Sequence, residues 1–349
     1  MNPKRETVEL RRRLVAQKVA DNLRRLEGDV KTVVQTASQD YSVSRNGILV
    51  FRGGPATENR LLWLNRSGKS QGELARLISN VGSPRLSPDN RRVVFNRLDE
   101  LGVQDLWEVG SGRGAVRRLT FGAQQGGGGW GTWSPDGSEL ALNLVVSGAR
   151  RLARFSSSGG SPPKVFAEAQ IPTIAQYPHD WSPDGRFVTF VNIDASADIW
   201  ILPLAPGENP GLCWRLEDQP QFSPDGHWLA YTSDEAGRVD VYIQRFPKLG
   251  DKVTVSANGG SQPRWRRDGK ELFFVTLEGM LMAVPVKQGG SGLEVGEPKP
   301  LFRMPLRLPP NQYTYDVAAD GQRFLAMAPT EQARPGPFKV MLNWKAALK

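Results

Sequence analysis

The stretch FSPDGHWLAYTSDEAG, residues 222 to 237, decides how the chain folds, because close copies of it recur along the whole sequence. LSPDNRRVVFN begins at Leu86, WSPDGSELALN at Trp133 and WSPDGRFVTFV at Trp181. Looser copies follow as WRRDGKELFFV from Trp265 and VAADGQRFLAM from Val317, and a worn one, VSRNGILVFRG, starts at Val43. The acidic or Asn residue of each turn marks the period: Asn46, Asp89, Asp136, Asp184, Asp225, Asp268 and Asp320 stand 41 to 52 residues apart. A period of about 40 to 50 residues belongs to four-stranded propeller blades, and helical solenoids share it. The local chemistry separates the two. Pro-Asp-Gly makes a tight reversal, Pro presetting φ and Gly accepting a positive φ at the close, with Asn90 as the nearest substitute. The residues after each turn alternate as a strand does, for example Leu229 and Tyr231, or Leu272 and Phe274.

Each unit therefore reads as strand, turn, strand, loop, strand, strand. In the fifth, these are PQFS, the Pro224-Asp225-Gly226 turn, HWLAYTS, VYIQRFP and KVTVSA. One such sheet cannot bury its own apolar faces, whereas a ring of them can. The fold class is all-β, a β-propeller over residues 39–349 with seven four-stranded blades, or six if the worn first copy makes no full sheet. The last unit is short of a fourth strand. The N-terminal segment, residues 1–38, is expected to supply it through Arg12–Val19 or Val30–Ala37. The same segment is equally readable as an amphipathic helix, since Val15, Val19, Leu23, Leu26 and Val30 recur at helical spacing.

Composition narrows the function. The 349 residues carry a net charge of +9, and the first 31 hold nine Lys or Arg against five Asp or Glu, so about half the excess lies there. The other basic residues are scattered instead of forming a stripe with interleaved aromatics, which argues against a nucleic-acid site. No apolar stretch approaches the roughly 20 residues of a spanning helix or the form of a secretory signal. Cys213 is the single cysteine, so no internal disulfide exists and the compartment is not indicated. The expectation is a monomer.

Catalytic patterns are sparse. His179 and His227 are the two histidines, and no Gly-x-Ser-x-Gly elbow occurs. No cluster has the convergence of a metal site, and the turn Asp residues are explained by closing hairpins. GSGRGAV from Gly110 departs from a dinucleotide fingerprint at Ala115 and reads as a turn between strands. GGGGWGTW from Gly126 lacks the following helix that a phosphate cradle needs. Neither a metal nor a cofactor is predicted.

The candidate site comes from the innermost strands. Their apolar residues, Val43, Leu86, Trp133, Trp181, Phe222, Trp265 and Val317, should pack between blades. The residues just before them are Ser42, Arg85, Thr132, Asp180, Gln221, Arg264 and Asp316, a polar set expected to face a wet axial channel. The loops leading into these strands add Trp130, Tyr177, His179, Gln219 and Tyr313, large or hydrogen-bonding groups suited to contact.

RLSPDNRRVVFNR, WSPDGRFVTFV, QFSPDGHWLAYTSDEAGRVDVYIQRFP, QPRWRRDGKELFFVTLEGMLMAVPVK and the tail KVMLNWKAALK together resemble the TolB-like propellers of bacteria. They most resemble the propeller at the C-terminus of certain bacterial serine/threonine protein kinases. The resemblance covers residue 40 to the end, with no kinase loop motif. It implies a propeller used for binding a protein or small ligand, in relatives often placed outside the cytoplasmic membrane. The leading expectation is a non-catalytic binding or sensing module. The alternative is a glycan- or peptide-cleaving propeller acting through its axial channel.

Overall fold

Each SPDG string folds into a reversal held by its own side chains, as the computed structural model shows. In the fourth complete copy, Ser223 Oγ donates to Asp225 Oδ1 and accepts the backbone N–H of Trp228 at 2.9 Å, while Gly226 N–H closes the turn onto Ser223 O at 2.8 Å. Asp89, Asp136 and Asp184 repeat the arrangement with Ser87, Ser134 and Ser182. The closing residue has φ near +70° in five copies and +58° at Asn90, the left-handed region that Gly and Asn tolerate. Asp268 receives a two-pronged bond from Arg266, which replaces the serine, and Asp320 accepts the N–H of Gln322. These bonds hold the Asp136 and Asp268 carboxyls down at about 2, through Ser134 and Arg266 respectively. Asn46 lies outside the described residues. Those are 14–19, 26–34, 41–44, 48–52, 58–78, 81–98, 104–112, 115–121, 129–146, 149–159, 161–166, 175–193, 197–205, 211–215, 217–248, 250–289, 292–305, 313–329 and 338–342.

Among these residues the strands make six four-stranded blades. Blade 1 runs from Val81–Leu86 to Arg117–Arg118, blade 2 from Gly131–Trp133 to Lys164–Val165, and blade 3 from Ala175–Trp181 to Gly211–Arg215. Blade 4 runs from Glu217–Phe222 to Lys252–Thr254, and blade 5 from Ser261–Trp265 to Lys299–Arg303, with an added strand at Gly292–Val295. Blade 6 joins the two ends of the chain in the order Tyr315–Val317, Arg323–Pro329, Glu58–Asn65, Ser70–Ile78. The innermost strands touch in an unbroken cycle, blade 6 returning to blade 1.

The core lies between the blades. Leu61, Phe95, Leu325 and Met327 fill the 6–1 interface, Leu106, Trp133 and Leu140 the 1–2 interface, and Leu152, Trp181 and Phe190 the 2–3 interface. Ile199, Tyr231, Phe222 and Leu229 fill 3–4; Trp228, Trp265 and Phe274 fill 4–5; Phe273, Leu281 and Phe324 fill 5–6. Burial of this apolar area is the main source of stability, at about 25 cal/mol per Å². The inner apolar residues Trp133, Trp181, Phe222 and Trp265 lie in these clusters, with Leu86 and Val317 packed against them. Trp63, Trp107 and Trp200, on the third strands, also pack there.

Two expectations bear on closure of the ring. Among the described residues the blades number six, the alternative to seven, because the worn copy at Val43 makes no full four-stranded sheet. Ile48–Arg52 pairs with Tyr41–Val43 on one side and Phe338–Leu342 on the other as a separate three-stranded sheet, and Val43 is 41% exposed. Closure differs from expectation: Glu58–Ile78 supplies the missing strands of the last blade, and the N-terminal candidates do not. Leu14–Val19 and Leu26–Val34 pair with each other as an antiparallel hairpin, so the helical spacing of their valines does not produce a helix. A lone short helix is marginal in water because its nucleus is costly, and Val and Thr favour strands, so two such segments gain more by pairing with each other. Among the described residues no helix is long and apolar enough to cross a membrane.

Candidate functional site

The residues flanking the axis are shaped by a second repeat, a residue-Pro pair at the start of the inner strand. Ser83, Gln219 and Gln262 each precede a proline and each has φ between 50° and 61°. Such a backbone is unfavourable for Ser and Gln and persists only where neighbours over-determine it. Strand pairing slips by one step at each of the three, between Gly82 and Arg85, Asp218 and Gln221, and Ser261 and Arg264. The bulge re-aims backbone and side chain toward the next blade. Gln219 Oε1 accepts the N–H of Gln262 at 2.7 Å, Gln262 Oε1 accepts the N–H and hydroxyl of Thr314 at 2.7 and 2.9 Å, and Ser83 N–H reaches Tyr313 O at 3.0 Å.

One step along the strands a further set of bonds joins neighbours. Phe222 N–H donates to Asp180 Oδ2 at 2.8 Å, Trp265 N–H to Gln221 Oε1 at 2.9 Å, and Leu86 N–H to Asp316 Oδ2 at 2.7 Å. Three members of the polar ring therefore tie blade 3 to 4, 4 to 5 and 6 to 1. Thr132 is buried at the matching position of blade 2, and Ser42 lies outside the ring.

The other two ring members, Arg85 and Arg264, are buried and do not face an open channel, which corrects the expectation, and His179, Gln219 and Tyr313, entering the strands, are buried with them. Arg264 and Gln219 are 0% exposed, Tyr313 1%, His179 2% and Arg85 7%. Six inner strands enclose a narrow axis, and long side chains reach across it. Arg85 of blade 1 donates to His179 O of blade 3, and Tyr313 OH of blade 6 donates to Gln219 O of blade 4 at 3.0 Å. Both guanidinium groups stand over the Tyr313 ring, that of Arg264 at 3.4 Å and that of Arg85 at 4.5 Å from its centre. Arg264 Nε lies 3.1 Å from Asp316 Oδ1 without hydrogen-bond alignment.

From this centre the aromatic groups continue outward, ring by ring. Tyr313 meets His179 at 6.1 Å, His179 meets Trp130 at 6.1 Å, and Trp130 meets Tyr177 edge-on at 5.4 Å. Trp130 and Tyr177 are half-buried. They stand at the end of the inner strands opposite the SPDG turns. The structure thus gathers Trp130, Tyr177, His179, Gln219, Tyr313, Arg85 and Arg264 into one cluster, with Asp180 and Gln221 beside it as inter-blade acceptors.

Sequence reasoning misses Asp218. Its Oδ1 lies 3.4 Å from His179 Nε2 and accepts the N–H of Gln219 at 2.7 Å, and its side chain keeps 29% of its surface exposed. Its one available signal is position, an acidic residue directly before a Gln-Pro bulge. Burial pushes the Asp218 carboxyl up to about 7 and the Asp180 carboxyl up to about 6, in the second case against the pull of Arg85. Burial, and then Arg85 and Arg264, hold His179 well below its usual range, so the imidazole is neutral. His227 follows the turn of blade 4, where its N–H donates to Asp225 Oδ1. Among the described residues no three His, Cys, Asp or Glu side chains converge on a metal position.

Six blades of antiparallel strands around an axis define a β-propeller. More narrowly, the fold is that of a TolB-like β-propeller. A structure solved for a TolB candidate from Agrobacterium tumefaciens covers 79% of this chain and 99% of its own, with a TM-score of 0.60 at 20% identity. A structure of a candidate 6-phosphogluconolactonase from Bacteroides uniformis covers 82% and 96%, with a TM-score of 0.51 at 13% identity. In sequence, the chain is 25% identical over 206 residues to an uncharacterized protein of Agrobacterium fabrum, 56% of this chain and 66% of that protein. The chain spans less than two thirds of the length of the curated relatives it matches. No family profile matches it.

Proposed function

We propose that the chain is a non-catalytic binding module that engages a protein or small ligand at the axial mouth formed by Trp130, Tyr177 and Asp218. The observation that carries this reading is the division of labour among the axial groups. Asp180, Gln221, Asp316, Gln219 and Gln262 each accept a backbone N–H, four of them from the next blade and Asp316 from blade 1, so they act as fasteners. The half-buried aromatic pair stands outside that set, at the end of the inner strands opposite the SPDG turns, and rigid aromatic groups of this kind are the usual anchors of an interface.

The test is capture on the immobilised chain, with partner affinity measured for the wild type and for a variant carrying Trp130→Ala and Tyr177→Ala. The expected result is saturable binding without consumption of the partner, weakened at least about tenfold in the variant. Equal affinity of a folded variant would move the contact face elsewhere. An enzyme reading has one observation in its favour, the Asp218 carboxyl raised to about 7 beside a neutral His179, since perturbed pairs cluster at catalytic sites. Turnover of a bound small molecule that disappears in Asp218→Asn would favour it.

A further inference from the structure

The three-stranded sheet beside the ring is an unfinished blade. Tyr41–Val43, Ile48–Arg52 and Phe338–Leu342 stand in the order of the first, second and third strands of a blade. Each ring blade adds a fourth strand antiparallel to its third, as Tyr242 pairs with Thr254 in blade 4. Among the described strands nothing pairs with the outer edge of Phe338–Leu342. Such an edge is a row of N–H and C=O groups ready to pair with another strand. It contains no proline, and its register against Ile48–Arg52 runs without a bulge.

The face at this edge is apolar. Val340 stands opposite Val50 and Leu342 opposite Ile48, so these four residues share one side of the sheet. Leu342 is 71% exposed and Val340 59%, the two most exposed large apolar side chains among the described residues. Leu49, on the other side, is 2% exposed.

The strand's own sequence selects the occupant. Two copies of FKVML paired antiparallel about a two-fold axis at Val340 bring all five residues into register. Val340 then faces Val340 of the second copy, Phe338 faces Leu342, and Lys339 faces Met341, so no charge meets a like charge. Centring the pair on Lys339 instead would set two ammonium groups opposite each other, which is destabilising. We propose that two copies of the chain associate through this edge, each supplying the other's missing fourth strand, in one continuous six-stranded sheet. The contact is isologous, the same patch on both copies. Five residues a side place it at the low end of interface sizes, below about 1,200 Å², so association is reversible and concentration-dependent. The monomer expected from the sequence is the dilute state. The contact involves neither Trp130 nor Tyr177.

The experiment is sedimentation velocity of the full chain from about 1 to 200 μM, and a shift from monomer to dimer across that range is the expected result. Val340→Lys sets like charges against each other at the axis and should weaken the dimer at least about tenfold. Because Val340 is exposed, the melting temperature of the dilute variant should stay within a few degrees of wild type. Val340→Glu should behave in the same way, and an equimolar mixture of the two variants should dimerise again, since position 340 faces itself across the axis. Val146→Lys, at an apolar position of blade 2 that is 39% exposed, should leave the dimer intact. Should Val340→Lys fail to fold, Leu342→Ser at the more exposed position serves instead and should also weaken the dimer. A chain that stays monomeric over the whole range, a dimer untouched by a folded edge variant, or a mixture of the Lys and Glu variants that stays monomeric would overturn the proposal. An extended peptide captured at this edge by a chain that does not dimerise would overturn it as well.

Discussion

The backbone N–H of Phe222 in blade 4 is bonded to the carboxylate of Asp180 in blade 3 at 2.8 Å, and this link recurs between Trp265 and Gln221 and between Leu86 and Asp316. An apolar strand residue thus packs its side chain into one interface and has its amide held from the neighbouring blade. The consequence is that polar axial residues contribute to ring integrity in addition to any contact with a ligand.

Removing one fastener tests this. Asp180→Ala leaves the buried Phe222 amide without its acceptor and should lower stability by about 1 to 3 kcal/mol. Asp180→Asn retains an acceptor oxygen and should cost less than half as much. Denaturant melts of both variants check the order, and equal losses would mean that charge, not the hydrogen bond, is what matters.

The turns make a separate prediction. Asp225 organises Ser223 and the chain reversal far from the mouth, so Asp225→Ala should destabilise by about 1 to 3 kcal/mol and leave partner affinity at the wild-type value. Reduced affinity in the folded variant would place the contact face on the turn side.

Ring closure predicts which truncations matter. Removing residues 1–38 should leave the melting temperature within a few degrees, because the hairpin of Leu14–Val34 pairs only with itself among the described strands. Ending the chain at 312 removes the two inner strands of blade 6 and exposes the edges of Glu58–Asn65, and aggregation is the expected outcome. Light scattering on the two truncated chains distinguishes these cases.

The raised carboxyls predict a pH dependence. For Asp218 the folded value of about 7 exceeds the ordinary 3.8, so the folded state holds its proton more tightly. The stability this confers is full below about pH 4, is lost as pH rises through 7, and is absent above that. Asp218→Asn removes the loss. Its melting temperature relative to wild type should climb between pH 4 and 7 and then level off, whereas a constant difference across that range would contradict the burial argument. Asp180, raised to about 6, contributes a smaller effect of the same sign.

The repeated turn was enough to determine the all-β propeller, the blade chemistry and the interfacial role of Trp133, Trp181, Phe222 and Trp265, because reversal geometry and strand alternation are local properties written in adjacent residues. The candidate site was partly legible for the same reason: residues one step from an inner apolar position take the other face of the strand, and Trp130, Tyr177, His179, Gln219 and Tyr313 precede those strands directly. Tertiary structure alone decided that Val43 falls outside a six-membered ring and that Glu58–Ile78 closes it, since strand pairing between distant segments depends on which edges meet in space. It also decided that Arg85, Arg264 and Tyr313 are buried across the axis and that Asp218 stands beside His179. Side-chain reach, burial and the shift of a carboxyl depend on the distance between blades, and no single blade's sequence contains that distance.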